Sequence, residues 1–433
     1  MKMVVLTNFV ALIVLILIIL SSLRYEDFPP YLVMMFSASL ILFLRIYDFK
    51  NVSKIINLDL IFFIFGFLII TKAVEQTSFF EEELYRFLSS STGKKFFIKF
   101  SLIFGVIAAF LTNDIAAIIG VPIVVQLCKK RGEESSNLLM LLMYSVTLGS
   151  IFSPVGNPQN MLIIFNSDMK EPFISFFSML LLPSIISLIL VGLGFYYLWK
   201  RKNNNSIMLE EDPSKKKKTP EKENNKRSFE DWLTILLFVL TILLLLLDDI
   251  TTQFFDFILV PHLGVVPLMM ASVTLVIRRD REKVIQETNW RIILFFLFMF
   301  VVVAGLLESS LIQKILALFI DNSLPLTIRI MISSFVLSPL ISNVPYVQMF
   351  LTFAYPNNTL APEKIGILLA LFSTMAGNLL PFAAASNIIV LEEAKRFKIR
   401  LSIKKFVFYG VVITFFSTII YLFYIWLITT LLT

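Results

Sequence analysis

Asparagine, aspartate and hydroxyl side chains interrupt four otherwise apolar segments of this chain. Two of the interruptions are very short, TND at residues 112–114 and SN at residues 342–343. The other two are longer, SPVGNPQN at 153–160 and LPFAAASN at 380–387. Carboxylate, amide and hydroxyl oxygens are ligands that hard cations prefer, and helix N-termini exposed at a break favour anions. The pattern therefore predicts a binding site for ions or small polar solutes.

These polar residues lie in a strongly apolar chain. Of its 433 residues, 57% are hydrophobic, only 16% are charged, and 44 are Phe. A soluble domain could not bury so much apolar surface, whereas a membrane accommodates it. The composition therefore predicts an all-α polytopic membrane protein in contact with the lipid bilayer. Apolar runs that could cross about 30 Å of hydrocarbon occupy residues 3–22, 29–47, 58–76, 173–199, 232–248, 261–278, 290–308 and 404–430.

The scarcity of cysteine and histidine excludes several kinds of chemistry. The chain has one Cys and one His, so a His/Cys metal cluster, a disulfide within the chain and a Cys–His nucleophile pair are not expected. An intramembrane protease needs two facing acids or a histidine base, and neither pair stands in suitable segments. The net charge of +7 is concentrated in loops, where it orients helices in the membrane and does not indicate nucleic-acid binding. We therefore expect no enzyme, no resident metal and no cofactor.

The polar residues recur at similar distances in the two halves of the chain. The steps are 38 and 47 residues in the first half and 35 and 44 in the second, for the series Glu75, Asn113, Asn160 and Glu308, Asn343, Asn387. An internal duplication with polar interruptions at matching positions is typical of secondary transporters. We predict two inverted repeats, residues 1–199 and 231–433. The polar segment 200–230 carries ten Lys/Arg against six Asp/Glu, and we expect a disordered cytoplasmic linker there, with lipid binding as the alternative.

The short interruptions predict two re-entrant hairpins, at residues 96–128 and 326–355. In the first, the arms 96–111 and 115–128 contain 16 and 14 residues. Helices of this length span only about 24 and 21 Å, less than the hydrocarbon core. Two short helices that meet at a polar tip therefore describe a hairpin better than a single span.

The longer interruptions predict two broken helices, at residues 138–166 and 363–394. Pro154 and Pro158 block helical continuation in the first, and Pro381 does so in the second. Gly156 permits unusual backbone angles. With these elements the chain would contain about ten transmembrane helices, two hairpins and two broken helices.

The candidate substrate- and ion-binding residues are the polar residues and one glycine of these four interruptions. They are Thr112, Asn113, Asp114, Gly156, Asn157, Asn160, Ser342, Asn343, Ser386 and Asn387. Asp114 is the candidate for proton or cation coupling. An acid buried in a membrane helix bundle costs free energy, so its presence there indicates a function. Val344 stands where the second half would need an equivalent acid.

Purely structural roles are the alternative for several of these residues and their neighbours. Asn113 and Asn343 could simply cap the helices that follow them, and a nearby lysine could neutralise Asp114. Lys72 lies one turn before Glu75, which predicts a local ion pair. The pair Asp248-Asp249 follows an apolar run and predicts the interfacial end of a span.

Several motifs resemble those of the ion transporter superfamily. LTNDIAAIIGVPIVV at 111–125 resembles the hairpin signature of arsenite/antimonite permeases, and ISNVPYVQMFLTF at 341–353 is similar to the matching segment of sodium–proton antiporters. GNPQNMLI at 156–163 and AASNIIVLEEA at 384–394 resemble the second breaks of citrate-transporter-like anion permeases. The likeness extends from about residue 58 to 395. It is strong at the level of the superfamily, while different motifs point to different members.

The resemblance implies roles for residues at the two tips. In the sodium symporters of this superfamily, a Ser-Asn-Thr motif at each tip binds the substrate carboxylate and sodium, and these roles would fall on residues 112–114 and 342–344. The chain departs from that motif, because the carboxylate of Asp114 would repel an anion and Val344 offers no oxygen. These departures favour proton coupling or an uncharged substrate such as arsenous acid.

The resemblance also implies an elevator movement, alternating access and a homodimer in the cell membrane. The sequence expectation is a secondary transporter of a small inorganic or organic anion, or of an arsenite-like oxyacid. We expect sodium or protons as the coupling ion, with binding between the tips near Asn113 and Asn343. A sodium–proton antiporter is the alternative, followed by an ion channel.

Overall fold

The chain folds entirely into helices wherever the structure describes it. The computed structural model describes residues 2–24, 27–131, 135–204, 229–320, 324–354 and 362–432. No β-strand occurs in these ranges, which confirms the predicted all-α class. Residues 205–228, most of the predicted linker 200–230, lie outside the described residues, as does residue 355 at the end of the predicted second hairpin. The repeat boundaries stay a prediction.

The first half contains the helices from α1 to α11. They are α1 (Lys2–Leu23), α2 (Pro30–Phe43), α3 (Val52–Ile55) after a short 3₁₀ turn, α4 (Leu58–Glu75), α5 (Ser78–Ser89), α6 (Gly93–Leu111), α7 (Asn113–Arg131), α8 (Ser135–Ser150), α9 (Pro158–Asn166), α10 (Pro172–Phe176) and α11 (Leu182–Asn204). A π-helical turn, Phe177–Leu181, makes α10 and α11 continuous.

The second half contains the helices from α12 to α21. They are α12 (Phe229–Phe255), α13 (Val265–Ile277), α14 (Arg281–Glu287), α15 (Arg291–Leu307), α16 (Ser310–Ile320), α17 (Leu326–Ile341), α18 (Asn343–Ala354), α19 (Pro362–Ala376), α20 (Ala385–Arg396) and α21 (Ile403–Leu432).

The lengths of these helices fit a polytopic membrane protein. Within the described ranges, four segments are each long and apolar enough to cross a membrane: Met3–Leu23, Pro172–Arg201, Phe229–Phe255 and Ile403–Thr430. Two bent pairs, α3 with α4 at 61° and α14 with α15 at 43°, raise the number to six if each pair is one span. The helices α2 and α13 are predicted spans with only 14 and 13 helical residues. They are too short to cross the hydrocarbon core alone.

Each predicted hairpin consists of two helices separated by one non-helical residue, Thr112 or Ser342. Both α6 and α7 pack on α8, and both α17 and α18 pack on α19. The two arms of each hairpin also contact each other, α6 with α7 and α17 with α18, and the residue between them has a positive φ and an extended ψ that a continuous helix does not allow. The chain therefore folds back at each tip. The first hairpin is longer than predicted, because α6 and α7 have 19 residues each.

The two halves exchange equivalent contacts. Helix α4 packs on α13 while α15 packs on α2, and α7 packs on α20 while α18 packs on α9. In the α4–α13 crossing, a Cβ on Gly66 would lie 2.2 Å from the backbone nitrogen of Leu268, so this approach requires glycine. The reciprocal pairing brings each hairpin against the broken helix of the other half.

Two expectations about charged side chains have different outcomes. The ion pair of Lys72 with Glu75 is confirmed, with Nζ 2.7 Å from Oε1. Helix α12 continues past Asp248 and Asp249 to Phe255 and both aspartates are buried, while their position at the interfacial end of a span stays a prediction. Their carboxylates accept backbone N–H groups of Val260 and Ile174 at 2.7 and 3.0 Å. These hydrogen bonds stabilise two buried carboxylates within a helix that continues beyond them.

Candidate functional site

The two hairpin tips share a strained backbone conformation. Thr112 has φ 75° and ψ 152°, and Ser342 has φ 72° and ψ 147°. A positive φ with an extended ψ is essentially restricted to glycine and costs about 1–3 kcal/mol for other residues. The other described non-glycine residues with positive φ are all exposed, whereas Thr112 is buried and Ser342 is half-buried. The same unfavourable geometry at matching places indicates that both tips are held for a purpose other than stability.

The first tip is fastened to the first break. The backbone N–H of Asn113 donates to the carbonyl oxygen of Gly156 at 2.8 Å. A Cβ on Gly156 would lie 2.3 Å from the carbonyl oxygen of Ser150, so the break is too tight for any side chain there. Three predicted site positions, those of Thr112, Asn113 and Gly156, are thus brought together.

Asn160 and Asn387 close the two breaks in the same way. Each is the third residue of the helix after its break, α9 or α20. The side-chain N–H of Asn160 donates to the carbonyl oxygen of Ser150 at 3.0 Å, and that of Asn387 donates to the carbonyl oxygen of Gly377 at 2.9 Å. The Oδ1 atom of each asparagine is buried without a hydrogen-bond partner. These residues therefore offer a ligand only their carbonyl oxygens.

Asn157 is fully used in holding the protein together. Its Oδ1 caps α9 by accepting the N–H of Asn160 at 2.9 Å, and its Nδ2 donates to Ser150. The same amide lies 3.3 Å from Oγ1 of Thr374 in the other half, and Nε2 of Gln159 also donates to that hydroxyl, at 3.2 Å. Thr374 therefore joins the first break to the end of α19, which had no counterpart among the sequence-predicted residues.

The helix after the second break begins without a side-chain cap. Ala384 occupies the N-cap position of α20, and it has no side chain that could accept the first N–H groups, as Asn157 does for α9. The hydroxyl of Ser386, on the first turn of α20, is buried with no hydrogen-bond partner. Open N–H groups and the helix dipole favour an anion at such a terminus.

Unpaired buried polar atoms are concentrated around the tips and breaks. Each such atom costs about 1–3 kcal/mol when nothing satisfies it. Those of the described residues in this region are Asn113 Oδ1, Asp114 Oδ1, Asn160 Oδ1, Ser373 Oγ, Asn378 Oδ1, Asn378 Nδ2, Ser386 Oγ and Asn387 Oδ1. Oxygen atoms dominate this set, and oxygen is the ligand that hard cations prefer.

The two tips differ in their side chains and in the space around them. Thr112 and Asp114 line a cavity of about 20 Å³, which has room for roughly one water molecule. Ser342 lines a different cavity of about 50 Å³ beside the second break. Asn343 is buried and its Oδ1 accepts a hydrogen bond from Ser338 at 2.7 Å, while Val344 is buried and offers no polar atom. The tips thus face separate cavities, and the predicted binding between Asn113 and Asn343 stays a prediction.

Asn378 is a further candidate that the sequence analysis missed. It is completely buried, and both atoms of its amide lack a partner. The predicted second break began at residue 380, whereas helix α19 ends at Ala376. The dipeptide Gly377-Asn378 was a usable signal, because glycine commonly follows the last residue of a helix.

Comparison with known proteins gives one family match that extends over most of the chain. Residues 10–357 match the family described as citrate transporter. The matched region includes both hairpins and the first break.

Individual relatives are transporters of several kinds. The silicon efflux transporter LSI3 of Oryza sativa subsp. japonica is 29% identical over 361 residues, which are 71% of this chain and 73% of that protein. An uncharacterised transporter, Rv2685, of Mycobacterium tuberculosis is 24% identical over 390 residues, which are 86% of each chain. A Dictyostelium discoideum protein named as an arsB transporter is 28% identical over 155 residues. That last match covers 35% of this chain and only 27% of the relative.

Proposed function

Because this chain belongs to the citrate transporter family, we propose that it is a secondary active transporter that works by alternating access. Its cargo would be a small inorganic or organic anion, or an arsenite-like oxyacid. The observation that carries the proposal is the pair of strained tips, Thr112 and Ser342, with the same φ and ψ in the two halves. Broken helices and paired tips are how transporters of duplicated architecture hold an ion at membrane depth.

We propose different roles for the two tips. The second tip, with the hydroxyl of Ser342 and the open N-terminus of α20, suits an anion. The first tip suits a proton or sodium ion, because the Oδ1 atoms of Asn113 and Asp114 are unpaired there. Thr374 would couple the two tips. It binds Asn157 of the first break and belongs to α19, on which both arms of the second hairpin pack, so a ligand at one tip would change the packing at the other.

A sodium–proton antiporter is the second candidate function. Asp114 supports it, because one carboxylate at the first tip could bind either a proton or a sodium ion in turn. An uncharged oxyacid would also avoid repulsion by this carboxylate. The names of the relatives leave the cargo open, since they refer to arsB and to silicon efflux.

We further propose the surroundings of the transporter. The cell membrane is the expected location, with segment 200–230 on the cytoplasmic side because of its excess of basic residues. A homodimer is the expected assembly, as the resemblance to this superfamily implies.

Counterflow in proteoliposomes tests the carrier mechanism. Purified protein in liposomes preloaded with unlabelled citrate or arsenite should take up the labelled solute faster than protein in empty liposomes, because a loaded carrier returns its site more readily. An empty-vesicle rate equal to the preloaded rate, together with voltage-driven unitary currents, would favour a channel and contradict the proposal. Sodium uptake that is driven by an outward proton gradient would favour the antiporter, if preloading accelerates the uptake of neither citrate nor arsenite.

A further inference from the structure

Two neighbouring cavities share a wall beside the second hairpin tip. The outer cavity, of about 520 Å³, lies between the C-terminal end of α1 and helix α20 with the loop that follows it. The inner cavity is the one of about 50 Å³ beside the second tip. Ser22, Phe382 and Ile388 line both cavities. The two spaces are therefore adjacent, and these three side chains stand between them.

The inner cavity reaches the second hairpin tip and the second break. Ser342 lines it, together with Ala383 and Ala385 on either side of the α20 N-cap. Its remaining walls are mostly apolar side chains of α1, α2 and α15, such as Met34 and Phe295. A solute in the outer cavity would therefore meet Ser342 directly after passing the shared wall.

Basic residues predominate in the outer cavity, which we call the vestibule and define by the lining of the larger space. Within the described part of the chain, the charged side chains of this lining are Arg24, Asp27, Glu392, Lys395 and Arg400, three basic and two acidic, which give a net charge of +1. By contrast, among the described residues Asp114 is the one charged residue that lines the cavity at the first tip. A funnel whose walls carry positive charge raises the local concentration of anions and repels cations.

We propose that the vestibule is the route by which an anion reaches Ser342, with Arg24, Lys395 and Arg400 as attracting charges and Phe382 as the barrier. The proposal rests on the transport function proposed above and adds the direction of approach and the residues along it. It also explains why the two tips differ, because a positively charged approach serves the anion tip and not the tip with Asp114. An anionic lipid headgroup has the same chemistry as a free anion, so the experiment must separate these two sources.

A cysteine at the second tip tests the route without any requirement for transport. The full-length variant Cys128→Ser/Ser342→Cys, in phosphatidylcholine liposomes, is treated with an anionic and a cationic methanethiosulfonate reagent. We expect the anionic reagent to react faster, on the order of tenfold. Combined Arg24→Gln, Lys395→Gln and Arg400→Gln substitutions should remove this preference, and Phe382→Ala should accelerate both reagents.

Arg396→Gln is the matched control, because Arg396 is an exposed neighbour of Lys395 that pairs with Glu393 and does not line the vestibule. It should leave both rates unchanged. If the triple variant does not fold, added salt serves instead, since screening should slow the anionic reagent and accelerate the cationic one. Equal rates for the two reagents at low salt, or no effect of Phe382→Ala, would overturn the route.

Protection separates the two sources of anion and the two proposals. Citrate should protect the cysteine equally with and without phosphatidylglycerol in the membrane. Protection by phosphatidylglycerol alone would make the vestibule a lipid site and overturn the route. Charge-dependent labelling without counterflow would contradict the transport function and support the route. Counterflow without charge-dependent labelling would support the transport function and contradict the route.

Discussion

At the scale of single residues, the hydroxyl amino acids at the tips hold a conformation that glycine would adopt without strain. Evolution of a stable hairpin alone would favour glycine at both Thr112 and Ser342, because relief of about 1–3 kcal/mol exceeds the 0.5–1 kcal/mol that glycine adds to the unfolded-state entropy. A side-chain oxygen at both places is therefore expected to act on a bound ligand, which is the coupling ion at Thr112 and the anion at Ser342. Ser342 is the clearer case, since it lines a cavity next to the vestibule.

Two substitutions of Ser342 separate the role of its hydroxyl from that of its backbone. Ser342→Gly removes the hydroxyl and relieves the strain, whereas Ser342→Ala removes the hydroxyl and keeps the strain. We expect both to raise the KM for the transported anion by about tenfold or more, because a hydrogen bond to a charged group is lost. Thermal unfolding should show that the glycine variant is the more stable of the two. Normal transport by the glycine variant would contradict a role of the hydroxyl in binding the anion.

At the scale of elements, the first break is closed by a set of contacts that all converge on Ser150. Its carbonyl oxygen accepts the side-chain amides of Asn157 and Asn160, and Gly156 packs directly against it. Gly156 in turn holds the first tip through the N–H of Asn113. A change at Gly156 must therefore reach the tip, although residue 156 lies far from residue 113 in the sequence.

Gly156→Ala should destabilise the protein and disturb the first tip. The added Cβ would lie 2.3 Å from the Ser150 carbonyl oxygen, so backbone must move, at a cost of about 1–3 kcal/mol. A lower midpoint of thermal unfolding and loss of transport are expected. Gly194→Ala in α11 is the matched control, because its Cβ would meet no atom within 4 Å and alanine favours a helix. An equal effect of the two substitutions would contradict this explanation.

At the scale of the whole molecule, two similar halves have become chemically different. The first tip carries Asp114 next to Asn113, and the second carries Val344 next to Asn343. The open N-terminus of α20 lies beside the second tip, where the carboxylate is missing, and the vestibule lies next to it, between α20 and the end of α1. Such a difference suits the two roles proposed above, because the carboxylate of the first tip attracts a cation, whereas the second tip has no carboxylate to repel an anion.

Asp114→Asn should uncouple transport while the protein still folds. Asparagine has nearly the same shape as aspartate, but its amide carries no charge and does not exchange a proton as a carboxyl group does. We expect counterflow to persist and acceleration by a proton or sodium gradient to disappear. Asp256→Asn, at an exposed aspartate, is the control. Coupling stoichiometry measured in proteoliposomes decides, since a wild-type value in Asp114→Asn would assign that carboxylate a purely structural role.

Local sequence patterns are sufficient to predict the class of the protein and the places where its helices are interrupted. Long apolar runs dictate membrane helices because backbone groups must be satisfied internally in lipid. Polar residues and proline within those runs mark the breaks because both disturb a helix locally. The helix interruptions at Thr112 and Ser342 are therefore predicted to the residue, whereas the predicted second break starts three residues late, because helix α19 already ends before Gly377.

The contacts of each polar side chain depend instead on how the helices pack. Both atoms of the Asn157 amide form hydrogen bonds within the protein, and one partner is Thr374, which lies 217 residues away along the chain. Asn160 and Asn387 keep one oxygen each, and Asn378 keeps its entire amide unpaired. The vestibule is likewise formed by the end of α1 and by α20, which are far apart in sequence. Contacts of this kind leave no local pattern, because they depend on which helices the fold brings side by side.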